Sequence, residues 1–139
     1  MLRKAKTSDV KLIHRIINLS AAKGEMLPRS LVDLYNSLRD FYVYMEEDNG
    51  PIVGVVAMHL FWENLAEIRS LYVADEYRKK GIGKKLVEAC ISEAITLEIY
   101  RIFALTYQKD FFARMGFHEV QRTELPEKIW SDCFKCWKY

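Results

Sequence analysis

Apolar positions recur along this chain with two different periods. Val10, Ile13 and Ile17, with Leu12 and Ile16 beside them, follow a spacing of about 3.6 residues, the repeat of one helix face. Thr7-Ser8-Asp9 offers N-cap oxygens just before them, so a helix is predicted to about Ala22. Gly24 and Pro28 break the pattern in a loop from Lys23 to Ser30. Leu31, Leu34, Tyr35 and Leu38 then predict a second, short helix. Phe41-Tyr42-Val43-Tyr44-Met45 is a run of strand formers, Asp48-Asn49-Gly50 is a hairpin turn signal, and Ile52 to Phe61 is the returning strand. Leu65 to Val73 follows after a short connection, so three antiparallel strands are expected side by side. Further on, Ile82, Leu86, Cys90 and Ala94 lie four apart and are flanked by Val87, Ile91 and Ile95, the broad apolar face of a long helix. Leu2 to Lys6, Arg101 to Leu105 and Phe117 to Val120 predict strands, and Asp110 to Arg114 a short helix. The aromatic tail after Glu124 fits no element.

The predicted order is β-α-α-β-β-β-α-β-α-β: an antiparallel meander, then a strand-loop-helix-strand crossover. That is an α/β fold with a mixed sheet, expected as a single domain over residues 1–139, without repeats or linkers. Composition narrows the class. Eighteen aromatic residues against nine Gly plus Pro exclude disorder as the main state. No apolar run approaches the ~18 residues of a membrane span, and no apolar stretch follows the N-terminal charges, so neither membrane insertion nor a signal peptide is expected. A cytoplasmic location is the default expectation. With 21 basic and 19 acidic residues the net charge is +2, too balanced for a dedicated nucleic-acid binder. Cys90 stands alone and Cys133-x-x-Cys136 lacks two further ligands at zinc-site spacing, so no metal and no disulfide framework is expected. Trp130 and Trp137 read as closing the core or forming a homodimer surface.

The sharpest local feature is a strand, then Arg78-Lys79-Lys80-Gly81-Ile82-Gly83-Lys84, then a helix. Free N–H groups and a partial positive charge make a helix N-terminus a phosphate site, and glycines let the backbone approach. The dinucleotide fingerprint fails because Leu86 stands where its third glycine belongs. The P-loop fails on the spacing of Gly81 and Gly83 and on Lys85. The remaining pattern is R-x-x-G-x-G.

R-x-x-G-x-G after a strand ending in Leu71-Tyr72-Val73 resembles the acetyl-CoA pyrophosphate loop of the GCN5-related N-acetyltransferases. Glu67 to Val73 resembles that family's central strand. Phe111-Phe112-Ala113-Arg114-Met115-Gly116-Phe117 resembles its later helix-turn-strand motif, and the element order agrees over nearly the whole chain. Met26-Leu27-Pro28-Arg29-Ser30, Ala66 to Ser70 and Phe103 to Thr106 are similar, more narrowly, to the acetyltransferase domain of bacterial N-acetylglutamate synthases, here without the usual kinase-like domain. The resemblance implies the acyltransferase fold of that family, acetyl-CoA as cosubstrate and a small-molecule amine as acceptor, glutamate first.

It also implies roles. Glu67 would act as general base, often through water in the family. The Leu71 backbone N–H would stabilise charge on the thioester oxygen, and the main chain of Leu71 and Val73 would pair with the pantetheine arm. Residues Arg78, Lys79, Lys80, Gly81, Ile82, Gly83 and Lys84 would hold the pyrophosphate. Many relatives carry a tyrosine acid where Phe112 stands, and the narrower resemblance moves that role to Thr106, with Tyr107 as the alternative. Arg29, Arg69 and Ser70 would bind the acceptor; strand alternation puts Arg69, with Leu71 and Val73, on the face of Glu67. Competing expectations are an acetyltransferase for another amino acid, a polyamine or a protein N-terminus, and a non-catalytic acyl-CoA-binding sensor. Phe112 favours the sensor, and Glu67 argues against it.

Overall fold

The computed structural model describes residues 1–106, 108–120 and 136–138. Its elements are β1 (Leu2–Lys4), α1 (Val10–Ala22), α2 (Leu31–Asn36), β2 (Phe41–Met45), β3 (Ile52–Trp62), β4 (Leu65–Val73), α3 (Ile82–Thr96), β5 (Ile102–Leu105), α4 (Lys109–Arg114), β6 (His118–Val120) and β7 (Cys136–Lys138). The strands form one sheet in the order β1-β2-β3-β4-β5-β7-β6. The predicted meander is β2, β3 and β4, and α3 makes the crossover to β5, which runs parallel to β4.

The hydrophobic periods explain the layers. Residues Val10, Ile13 and Ile17 of α1, with Leu34 of α2, cover Phe41, Val43, Val55 and Ala57 on one sheet face. On the other face Ile82, Leu86, Val87, Cys90 and Ala94 of α3 pack on Val56, Met58, Ala66 and Ile68. Burying a side chain such as Leu86 or Ile17 contributes about 1.5–3 kcal/mol each, so these stripes are the main force holding both helices to the sheet. The α3 stripe ends at Ala94. Ile95, expected on its flank, is exposed, and Ile99 beyond the helix end closes the core instead.

The expected cap of α1 takes a different form. Thr7–Asp9 is a 3-10 turn, and no side chain caps the helix. The Asp9 carboxylate instead accepts from the Lys6 N–H at 2.7 Å and from both terminal nitrogens of Arg3, at 2.7 and 3.1 Å, tying β1 to the start of α1. Strand β7 was not expected, and it lies between β5 and β6. Tyr107, Trp130 and Cys133 lie outside the described residues.

The largest departure is in β4. Val55 pairs with Tyr72 and Ala57 with Arg69, so three steps on β4 oppose two on β3. This is a bulge, and its residue Ser70 has φ 57°, in the left-handed region. A bulge reverses the parity of side chains along a strand. Ile68 before it and Leu71 and Val73 after it all pack on the α3 face. The expectation that Leu71 and Val73 share the face of Glu67 and Arg69 is therefore corrected.

Candidate active site

The site is built around Glu67 in the middle of the sheet. Its strand neighbours are His59 on β3 and Phe103 on β5, and it is only 6% exposed. A buried carboxylate is costly unless it is paired. Arg69, two residues on and therefore on the same face, donates Nε–H to Glu67 Oε1 at 2.8 Å. The Arg69 guanidinium also lies over the Phe61 ring, 5.5 Å from its centroid, which fixes the pair against an aromatic wall.

Arg29 reaches the same face from the loop before α2. Its side chain is 7% exposed. Nε donates to Asp33 Oδ2 at 2.7 Å, Nη2 to Ser37 Oγ at 2.8 Å, and the guanidinium stacks 5.2 Å from the Phe41 centroid. Asn18 of α1 holds the Arg29 main chain through Nδ2 to the carbonyl at 2.9 Å. The remaining nitrogen, Arg29 Nη1, is buried and has no hydrogen-bond partner among the described residues. Arg29 beside Asp33 holds that carboxyl below the usual range, and the charges of Arg69 and His59 act in the same direction. Arg29, Arg69 and Glu67 are thus brought into one electrostatic neighbourhood.

The sequence reading missed the groups that complete this face. His59 Nδ1 lies 2.9 Å from Asp40 Oδ2. The signal was available in the hairpin: with a two-residue connection, antiparallel pairing of β3 and β4 sets a position near residue 59 opposite Glu67. Asp33 and Ser37, which orient Arg29, sit one and two turns beyond it and carry no pattern that singles them out.

Past Ser70 the strands β4 and β5 part. Their parallel ladder runs over Ala66, Glu67 and Ile68 against Ile102, Phe103 and Ala104, and Leu71 and Val73 lie beyond it. The Val73 carbonyl is partly engaged, accepting from Arg78 Nε at 3.2 Å.

The basic loop follows. Lys79 and Gly81 both have left-handed φ, 65° and 80°, and Gly81 is the N-cap of α3. Among the described residues no side chain caps this helix and no acidic residue sits in its first turn, an arrangement that suits an anion. A Cβ on Gly81 would meet nothing within 4 Å, so glycine serves the backbone angle there. A Cβ on Gly83 would lie 3.2 Å from Phe111, so that glycine lets α4 approach α3. Ile82 points into the core and offers only its main chain, whereas Lys84 is exposed. Arg78 pairs with Asp75 at 3.3 Å and Glu25 at 3.8 Å, and Lys80 with Glu46 at 3.9 Å. These exposed pairs are weak and open to exchange for phosphate.

Thr106 follows β5, and its Oγ1 accepts from the Gln108 N–H at 2.8 Å. Phe112 is buried edge-on between Phe111 and Phe117, with centroids 5.1 and 5.0 Å away. Among the described residues no group of three or more His, Cys, Asp or Glu is placed to hold a metal ion. No helix there is long and apolar enough to cross a membrane.

Comparison with known proteins agrees with this arrangement. The model of the acetyltransferase (GNAT) family matches residues 13–119. An uncharacterized N-acetyltransferase of Chlorobaculum tepidum is 40% identical over 97% of this chain and 86% of its own. An amino-acid acetyltransferase of Mycobacterium tuberculosis is 35% identical over 95% of this chain and 76% of its own. The solved N-acetylglutamate synthase of Neisseria gonorrhoeae, complexed with coenzyme A and N-acetyl-glutamate, superimposes with a TM-score of 0.90 at 28% identity. That match covers 99% of this chain but only 34% of the Neisseria chain. With the family model matching residues 13–119, most of the sequence, the chain belongs to the acetyltransferase (GNAT) family.

Proposed function

We propose that this protein transfers the acetyl group of acetyl-CoA to the α-amino group of an amino acid, with L-glutamate as the acceptor. The observation that carries this reading is the buried Glu67–Arg69 pair on the face that Arg29 also reaches, where Arg29 Nη1 is buried without a partner among the described residues. A cationic donor held in place without a partner suits a carboxylate oxygen, and Arg binds carboxylates with directed contacts. The amino-acid acetyltransferase of M. tuberculosis and the N-acetylglutamate synthase of N. gonorrhoeae support the same class of acceptor.

Each residue then has a task. The uncapped start of α3, with Lys79, Lys80, Lys84 and Arg78, holds the pyrophosphate, while the Leu71 and Val73 main chain aligns the pantetheine arm. Arg29, Arg69 and Ser70 orient the acceptor. Glu67 takes a proton from the ammonium group, directly or through one water, so that the amine can attack the thioester carbon. The Leu71 N–H donates to the carbonyl oxygen as negative charge grows there; such a donor is typically worth ~3–4 kcal/mol. The C–S bond breaks, and Thr106 supplies a proton to the departing thiolate. A thiol with an ordinary pKa of ~8.5 needs little acid help, which makes Phe112 tolerable in place of a tyrosine. Residues 1–139 act here as one N-acetyltransferase domain in the cytoplasm, and its product would enter arginine biosynthesis.

The test is a free-thiol assay with acetyl-CoA against amino acids, polyamines and N-terminal peptides. Glutamate should release coenzyme A fastest, and Arg29→Ala should raise KM for glutamate well above any change in KM for acetyl-CoA. A polyamine or peptide as the best acceptor would overturn the amino-acid reading. Tight acetyl-CoA binding with no turnover on any amine would favour the sensor, the reading that Phe112 supports.

A further inference from the structure

His59 has no place in the chemistry above, yet it is the cross-strand neighbour of Glu67 on the same face. Directly opposed Cβ atoms in an antiparallel pair lie about 4.5–5.5 Å apart. The acceptor amine must come within about 3 Å of Glu67 or one water away, so the groups on the acceptor's Cα fall beside the His59 ring. The ring is held: Nδ1 is 2.9 Å from Asp40 Oδ2, and Phe61 packs edge-on at 5.1 Å. Its side chain is 40% exposed.

We propose that His59, fixed by Asp40, is a specificity-determining residue of the acceptor site that reads whether the acceptor's side chain ends in a carboxylate or a carboxamide. The inference rests on the reading of the acceptor as an amino acid. A carboxylate only accepts hydrogen bonds, so the Nδ1 facing Asp40 carries the hydrogen. That leaves Nε2 as the reading atom. In the neutral ring it is a lone pair that accepts from an amide NH2 and repels a carboxylate. In the cation it is an N–H that donates to a carboxylate. Arg29 and Arg69 also favour a carboxylate, but a guanidinium stays charged throughout the neutral range, so they set the preference without changing it with pH. The carboxylates on this face each already have a side-chain partner: Asp33 has Arg29, Glu67 has Arg69 and Asp40 has the His59 ring. Around the ring, Asp40 before β2, Glu67 on β4 and Asp33 on α2 favour its charged form. Arg69 on β4 and Arg29 before α2 oppose it.

The consequence is a selectivity that depends on pH. Glutamate and glutamine share the same α-amine and the same base, so the ionisation of Glu67 and of the amine cancels in the ratio of their kcat/KM values. The glutamate side chain stays ionised throughout the range. The ratio should therefore fall about tenfold in favour of glutamine as rising pH takes the proton from the ring. Glutamine can be followed as a substrate or, if slow, as a competitive inhibitor. His59→Gln, whose amide can both donate and accept, should flatten the ratio. A flat ratio in the unmodified protein overturns the proposal, as does a fall that persists in His59→Gln. Acetylation of neither amino acid, with a polyamine active, sinks the amino-acid reading and this proposal with it.

Discussion

Glu67 is acceptable in the interior because Arg69 lies two residues along the same strand face and bonds it at 2.8 Å. Replacing it with glutamine keeps the volume and removes the proton acceptor. Glu67→Gln should lower kcat/KM at neutral pH by ~10²–10⁴-fold and recover part of the loss at high pH, where more of the amine is already neutral. A pH–rate series on both proteins checks this, and equal rates at pH 7 would return Glu67 to a purely structural ion pair. That Glu67 and Arg69 lie on one face was legible in the sequence because they share strand parity. Arg29 was legible only by resemblance, since nothing in its loop separates a buried guanidinium from a solvated one. Ser70 defeated the reading. A bulge there needs a left-handed backbone, glycine would have signalled it, and serine does not. The misplacement of Leu71 and Val73 followed from that single residue.

At the scale of elements, α3 joins the nucleotide loop to the core. Gly81 at φ 80° sets the angle at which the loop enters the helix. Gly81→Ala places no atom within 4 Å of a neighbour, so its cost is backbone strain of about 1–2 kcal/mol, concentrated on the loop that would hold the pyrophosphate. Calorimetry should show acetyl-CoA binding weakened by about tenfold with the fold retained, a change of about 1.4 kcal/mol. Unchanged affinity would mean that the loop is only a helix start. Further along, Cys90 is fully buried and desolvation pushes its thiol up to about 12. The thiolate is the reactive form, so Cys90 should resist iodoacetamide in the native protein and react once the chain is unfolded, as peptide mass spectrometry can read. Rapid native labelling of Cys90 would contradict its place in the core. The long apolar stripe made α3 plain from sequence, while Ile95 shows the limit of a period, which continues past the end of the sheet it packs on. Strand β7 was not legible, because its partners β5 and β6 lie far back in the chain and its three residues carry no alternation of their own.

Over the whole molecule the charges nearly cancel, so response to pH is carried by particular pairs rather than by net repulsion. Asp9 is the pair that matters most for the fold. It is buried, and it joins β1 at the sheet edge to the entry of α1 through Arg3 and the Lys6 N–H. The Arg3 hydrogen bond, more than the opposing burial, holds its carboxyl below the usual range, with the Lys6 N–H and the positive charge of Arg3 adding to the effect. A depressed folded value means that the carboxylate form is favoured by folding. The stability it contributes is complete above the unfolded value of ~3.9 and is lost as pH falls through the folded one. Asp9→Asn removes charge-assisted hydrogen bonds worth about 1.5–3 kcal/mol while keeping the shape. Urea unfolding at pH 7 should therefore show Asp9→Asn less stable by about 2 kcal/mol, and the gap should narrow steadily below about pH 4 as the unmodified protein takes up the same proton. A gap of equal size at pH 7 and at pH 3 would show that Asp9 acts by its shape and neutral hydrogen bonds alone, and that the link between β1 and α1 does not depend on its charge.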